Sequence, residues 1–336
     1  YNNNTSASTE TQYELPELEN GTPLANHGKL SVNGVNLVDS KGQKFQLKGV
    51  STHGIQWFPQ YVNKDTFKDL RDNWGANVIR LAMYSAEGGY CNGNTAEFDK
   101  IIDRGVQACS ELGMYVIIDW HILSDSNPNT NKEQAKQFFA KMSKQYADCN
   151  NVIYEICNEP NGCGWKEIKS YATDIIKTIR KYDKKAVIIV GTPTWSQLGT
   201  DGTSNEVADS PIKGYKNIMY SLHFYASEWA HNEYLPAKVA YARKKKLPII
   251  VSEFGLSPAS GDGAINKASA DKWMKLLNKY NISYFCWSLS NKNESASLLK
   301  PSTKKTSGWK SGDLSTAGKY IKKKYLARKK ALGKKA

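Results

Sequence analysis

Eight short apolar runs recur along this chain at a nearly constant interval, and that recurrence restricts the fold more than any other feature. They occupy Phe45–Val50, Val78–Met83, Tyr115–Asp119, Val152–Cys157, Val187–Gly191, Ile218–His223, Ile249–Glu253 and Tyr284–Trp287, with starts 33, 37, 37, 35, 31, 31 and 35 residues apart. Between them lie Lys64–Asn73, Phe98–Leu112, Lys132–Tyr146, Trp165–Tyr182, Tyr234–Lys245 and Ser269–Tyr280, where apolar residues return at the three- and four-residue steps of an amphipathic helix. Ser315–Lys330 supplies a last helix with a Lys-rich outer face. Continuous apolar strands alternating with helices predict an α/β protein whose parallel sheet is covered on its outer face. Eight such units predict a single closed (β/α)8 TIM barrel rather than an open doubly wound sheet. No Gly-x-Gly-x-x-Gly follows the first run, which counts against a dinucleotide site.

The chain's two ends are polar. Residues 1–25 are rich in Asn, Ser, Thr and Glu without periodicity, a composition that reads as a polar linker or disordered N-terminus. Leu30 to Gln43 alternates around Asn33-Gly34 and predicts a small β-hairpin. The barrel is assigned to residues 26–328, and 329–336 to a basic tail. The chain starts at Tyr1 without Met or a signal-like apolar segment, consistent equally with a removed export signal and with a shortened terminus.

The formal charge of +14 is unevenly spread. Residues 1–25 carry four Glu and no base, residues 300–336 carry twelve Lys and one Arg against Asp313, and the body between holds only +6. A nucleic-acid binder usually shows a basic patch with a recognisable fold or interleaved aromatics. Here the excess belongs to a terminal helix and tail, so a solvated face is the preferred reading and nucleic acid is not an expected partner. No apolar run is long enough to span a membrane. The six Cys are dispersed, with no Cys-x-x-Cys pair and no His cluster at metal spacing, so neither zinc nor another cofactor is expected. Cys91 with a loop partner is the one disulfide left open.

In barrels of this kind the active site forms at the C-terminal rim, so the residues that follow each run carry the functional reading. The first run is followed by His53 and Trp57, the second contains Arg80 and leads to Tyr84, and the third ends Asp119-Trp120-His121. The fourth ends Asn158-Glu159, the fifth runs on to Trp195, and the sixth ends His223-Phe224-Tyr225. The seventh ends Ser252-Glu253-Phe254-Gly255 and the eighth Trp287-Ser288. Each has a plainer alternative: a strand-end His as a structural hydrogen-bonder, a Trp as loop packing, Arg80 as a buried ion-pair partner, Glu253 as a helix cap. Their convergence on one rim favours function. Two carboxylates suit glycosidic cleavage, which uses one protonated acid for the leaving oxygen and one ionised carboxylate opposite it. Arg80 is suited to keep Glu253 ionised, Tyr225 to orient it, and the Trp residues to offer flat apolar faces to sugar rings.

Ile-Tyr-Glu-Ile-Cys-Asn-Glu-Pro at 153–160 resembles the signature of glycoside hydrolase family 5. The likeness runs from about Gly28 to Tyr325, through Leu47–Trp57, Val78–Tyr84, Ile118–His121, Ser221–Tyr225, Val251–Gly255 and Trp287–Glu294. It is strongest with the branch of bacterial secreted endo-β-1,4-glucanases, or cellulases. That resemblance implies Glu159 as acid/base and Glu253 as nucleophile of a retaining reaction. It implies Arg80, His121, Asn158, His223, Tyr225 and Trp287 around the reacting sugar. His53, Trp57, Tyr84, Lys292 and Glu294 are implied on the glycone side, and Trp195 as an aglycone platform. The expected partner is a β-glucan polysaccharide or cello-oligosaccharide, handled by a monomer that is secreted or held at the cell surface. Alternatives are a β-mannanase or a mixed-linkage or xyloglucan-directed glucanase on the same barrel. A non-catalytic carbohydrate-binding barrel is the rival from another class, and retention of both carboxylates speaks against it.

Overall fold

The computed structural model describes residues 13–336. β1 (Ser31–Asn33) and β2 (Asn36–Val38) pair antiparallel as the expected hairpin, with Gly34 supplying a φ of 62° in its two-residue loop. The eight apolar runs become β3 (Lys48–Thr52), β4 (Val78–Tyr84), β5 (Tyr115–His121), β6 (Val152–Glu155), β7 (Ile188–Val190), β8 (Ile218–Tyr225), β9 (Ile249–Gly255) and β10 (Tyr284–Leu289). All pair in parallel with their sequence neighbours, and β10 returns to β3 to close the barrel. Ahead of the hairpin lies α1 (Pro23–His27); the outer ring is α2 (Lys64–Asp69), α3 (Thr95–Leu112), α4 (Lys132–Tyr146), α5 (Trp165–Tyr182), α6 (Trp229–Lys244), α7 (Lys267–Lys279) and α8 (Thr316–Leu332). The β7–β8 connection holds only two short helical turns. No helix among the described residues is long and apolar enough to cross a membrane.

Two-residue alternation along the strands sorts the core. On β4, Ile79, Leu81 and Met83 pack outward against the helices, whereas Val78, Arg80, Ala82 and Tyr84 climb the interior. The lowest interior layer is apolar: Phe45, Leu47, Val78, Tyr115, Ile117, Ile153, Met219, Ile250 and Phe285 meet there, and Leu24, Leu30 and Leu37 cover it from below. α1 and the hairpin therefore plug the bottom of the barrel. One turn of the alternation higher, the interior becomes polar and fully buried: Ser51, Arg80, Asp119, Glu155, Ser221 and Ser252. This layer is the floor of the open end.

Three expectations change. The fourth run was read as a strand through Cys157, but β6 ends at Glu155, because its partner β7 supplies only Ile188 and Ile189 for pairing. Residues 13–25 of the assigned linker are docked: Tyr13 meets Tyr146 edge-on at 5.3 Å, Glu19 pairs with Arg71 at 3.0 Å, and the Thr22 hydroxyl caps α1. A few anchoring side chains suffice, and composition averages them away; residues 1–12 lie outside the described residues. The boundary at 328/329 falls inside α8, which continues to Leu332 because Lys329 and Lys330 take its exposed face. Past it, the Ala336 carbonyl accepts from His27 Nε2 at 2.9 Å, while His27 Nδ1 pairs with Asp39 at 2.9 Å. All six cysteines are free thiols, so the open disulfide does not form.

α8 is tied to the barrel by Tyr325, whose buried hydroxyl donates to the Gly49 carbonyl at 2.6 Å. Tyr325→Phe removes this buried hydrogen bond, so unfolding free energy should fall by about 0.5–1.5 kcal/mol. Denaturant titration checks this, and an unchanged midpoint would show that α8 is held by apolar packing alone.

Candidate active site

Arg80 enters the barrel interior from β4 with no exposure, and its guanidinium sorts the carboxylates around it. Nε and Nη2 fork onto Glu155 at 2.8 and 3.2 Å, Nη1 donates to Glu253 at 3.0 Å, and Nη2 also donates to Asn158 Oδ1 at 2.7 Å. Asp119 stands 3.3 Å from Nη2. A lysine could not serve this set, because the fixed planar fork meets three strands at once. Burial pushes the Asp119 carboxyl up to about 7, with Arg80 opposing the shift and Glu253 adding to it.

Glu253 lies on β9, where the β8–β9 register shifts between Ser221 and His223. Ser252 and Glu253 both reach inward there: the Ser252 hydroxyl bonds Glu155, and Glu253 bonds Arg80. The second Glu253 oxygen accepts from the Tyr225 hydroxyl at 2.7 Å. Burial and the neighbouring Glu253 charge hold Tyr225 well above its ordinary pKa, so it acts as a donor. With a guanidinium and a phenol aimed at it, Glu253 is oriented as a carboxylate that only accepts.

Glu159 stands in the loop after β6 under different rules. Its Oε2 is 2.7 Å from His223 Nδ1; His223 Nε2 is 2.7 Å from the Ser252 hydroxyl, which donates to Glu155 at 2.7 Å. Because Ser252 spends its proton on the Arg80-bound Glu155, it accepts from His223 Nε2–H. The remaining Nδ1 is then an acceptor, and the proton between it and Glu159 belongs to Glu159. Burial lowers His223 to about 4, which keeps the ring neutral. Burial likewise raises Glu159 to about 8, with Arg80 opposing and Asp119 and Glu155 reinforcing the rise. The two carboxyl groups thus stand in opposite hydrogen-bonding surroundings, Glu253 facing donors and Glu159 facing an acceptor.

Glu159, His223 and Glu253 present side-chain N and O atoms all within 4.8 Å of one another, the one such group among the described residues close enough to hold a metal ion. Each already has protein partners in the network above, so its arrangement is accounted for by acid–base chemistry.

Above the floor opens a cleft of about 640 Å³. His53, Trp57, Tyr84, His121, Glu159, Trp195, His223, Tyr225, Glu253, Trp287, Lys292 and Glu294 all line it. At one end His121 stacks on Trp287 at 5.2 Å, and Tyr84 packs on Trp57 at 5.0 Å and on His121 at 4.4 Å. Lys292 pairs with Glu294 at 3.2 Å beside them. At the other end Trp195 is 47 % exposed, held in a left-handed stretch with Thr194 and Ser196. Such backbone costs roughly 1 kcal/mol or more per non-glycine residue. It is fixed by Trp195 N–H to the Pro160 carbonyl at 2.8 Å and by the Ser196 hydroxyl to the Asn158 carbonyl at 2.7 Å.

Two expected site residues sit differently. Arg80 and Asn158 are fully buried beneath the cleft rather than in its wall. Asn158 Oδ1 takes the Arg80 bond while Nδ2 donates to the Ile122 carbonyl at 3.0 Å and to His121 Nε2 at 3.1 Å. These bonds make the Asn158 amide part of the floor. Sequence reasoning gave no role to Glu155, Asp119 or Ser252. The available signal was an acidic residue at an inward position of an apolar run, which is how Glu155 and Asp119 occur.

The profile of the family described as cellulase (glycosyl hydrolase family 5) matches residues 38–293. A Clostridium saccharobutylicum endoglucanase is 49% identical over 298 residues, covering 88% of this chain and 64% of that protein. Endoglucanase 5 of Pectobacterium carotovorum is 45% identical, covering 91% and 59%. The chain thus spans about six-tenths of the length of these curated relatives. Among solved structures, cellulase Cel5C_n superposes with a TM-score of 0.87 at 39% identity, covering 92% of this chain and 95% of that one. The catalytic domain of Thermobifida fusca endoglucanase Cel5A in complex with cellotetraose gives 0.83 at 37%, covering 91% and 100%.

Glu159 provides a test that needs no substrate. Its folded-state pKa is raised, so the native protein holds this proton more tightly than the unfolded chain, and stability falls as pH rises from about 5 through about 8. Glu159→Gln removes that term. Melting temperatures should show the variant gaining on the wild type across this window and running parallel above it; parallel curves throughout would contradict the raised pKa.

Proposed function

Because the chain belongs to the cellulase family, glycosyl hydrolase family 5, we propose that it is a retaining endo-β-1,4-glucanase, cleaving internal bonds of cellulose and related β-glucans. The observation that carries this reading is a pair of carboxyl groups that approach within 4.8 Å at one atom of each, Glu253 facing two donors and Glu159 facing an acceptor.

In the first step a Glu253 oxygen attacks the anomeric carbon. The bond to the leaving oxygen breaks as Glu159 protonates it, and a glycosyl ester forms on Glu253. In the second step the Glu159 carboxylate removes a proton from water, the water oxygen attacks the same carbon, and Glu253 leaves as carboxylate. Two inversions restore the original configuration. Arg80 and Tyr225 hold Glu253 in line throughout. His223, locked with its Nδ1 lone pair toward Glu159, disfavours the bare carboxylate and so favours proton recovery.

We assign the leaving, aglycone half of the chain to the Trp195 side of the cleft, a reading supported by the bond from Trp195 N–H to the Pro160 carbonyl in the loop of the proton donor. Trp57, Tyr84 and the Lys292–Glu294 pair then face the glycone half. An open cleft suits internal cleavage of a polymer, and a polymer too large to enter a cell implies work outside the cell or at its surface. Activity in the medium of an expressing culture tests that location, and retention of all activity inside the cells would oppose it. We read the chain as a monomer, and sedimentation of the active protein checks this.

Glu253→Gln should lower turnover on carboxymethylcellulose at least about a thousandfold with the fold intact, and a fully active variant would overturn the assignment. Hydrolysis by the wild type should decline as pH rises through about 8, where Glu159 loses its proton. NMR of early products should show the β-anomer first, with α first contradicting retention. Rates should be higher on cellulosic than on mixed-linkage or mannan polymers; the reverse order would select the mannanase or mixed-linkage alternative.

A further inference from the structure

Nine Trp residues occur in the chain, and only three are substantially exposed: Trp57 at 48 %, Trp195 at 47 % and Trp229 at 69 %. The other six are at most 7 % exposed. Trp57 and Trp195 line the two ends of the cleft. Trp229 is the first residue of α6, and the first turn of a helix that follows a barrel strand stands at the open, C-terminal rim. All three exposed indoles are therefore on the same face of the molecule, the one that bears the site. An exposed indole is a large apolar surface left in water, and such surface on a rim marks contact with something else.

Trp229 adjoins the cleft without lining it, on a helix that contacts the loop after Trp195. Its neighbours Glu228 and His231 line the cleft, and Glu228 is fixed by accepting from the Ala259 N–H at 2.7 Å. Tyr234 stands edge-on to Trp229 at 6.0 Å and packs its ring on Gly202, where a Cβ would lie 2.8 Å from Tyr234 Cγ. Lys238 Nζ ties α6 to the loop that follows Trp195, donating to the Gln197 and Asp201 carbonyls at 3.0 and 2.6 Å. The aromatic pair is thus carried on a segment braced against the Trp195 loop. Tyr234 covers only part of Trp229, so packing between the two does not account for its exposure.

We propose that Trp229, supported by Tyr234, is an outer sugar-binding platform that extends the cleft beyond Trp195 and holds the aglycone end of a long β-1,4-glucan chain. The inference rests on the glucanase reading of the cleft. The apolar face of a glucose ring stacks on the indole, and the platform adds affinity for chains long enough to reach it without touching the reacting bond.

The test compares Trp229→Ala and Trp229→Tyr with the wild type on cellotriose and cellohexaose. For Trp229→Ala, kcat/KM on cellohexaose should fall roughly three- to tenfold, the loss of one aromatic contact. Cellotriose turnover and melting temperature should stay unchanged, and Trp229→Tyr should recover most of the loss. A wild-type enzyme active on both substrates with no length-dependent effect in Trp229→Ala overturns this inference alone. An equal fall on both substrates also overturns it. A wild type that cleaves neither overturns the glucanase reading as well.

Discussion

One buried guanidinium organises this molecule. Arg80 stands between the apolar plug and the open cleft and engages Glu155, Glu253, Asp119 and Asn158 from four different loops and strands. Charges at that depth are costly to desolvate and are tolerated only when paired and fully hydrogen-bonded. The barrel supplies this because inward positions on successive parallel strands converge on its axis at one height. Removing the guanidinium would leave a set of buried carboxyl groups repelling one another, so the geometry of the site and the integrity of the barrel depend on the same side chain.

From that centre the two key carboxyl groups diverge. Glu253 is bonded to Arg80 directly, with Tyr225 on its other oxygen. Glu159 is reached only through Glu155, Ser252 and His223, and what arrives at the end of that relay is an acceptor lone pair, not a positive charge. Its raised proton affinity follows from burial and from the anions around Arg80. A single cation thus serves two opposite ends, by contact at one carboxyl group and by relay at the other.

Much of the fold was legible in sequence because periodicity survives averaging: eight apolar runs became eight strands, and Asn33-Gly34 became the hairpin turn. The rim was legible because barrel strands deliver their last residues to one face. Less visible was the layer beneath. Glu155 sits inside an apolar run, and its importance depends on reaching Arg80 two strands away, a contact no local pattern encodes. The resemblance implied Asn158 near the reacting sugar, but the bonds of its amide to the Ile122 carbonyl and His121 are likewise contacts no local pattern encodes. At the ends, Tyr13 and His27 each make a long-range contact that composition does not encode. Trp229 was passed over because exposure, not composition, distinguishes it from the six buried Trp.

The central claim is that Glu253 attacks carbon while Glu159 manages the proton. The most direct measurement is to trap the first intermediate with an activated 2-deoxy-2-fluoro cello-oligosaccharide, which slows release of the sugar ester, and to locate the adduct by peptide mass mapping. The account predicts one sugar on the peptide that contains Glu253, with loss of activity in step with labelling. An adduct on Glu159, or complete turnover of the reagent with no covalent species, would contradict it.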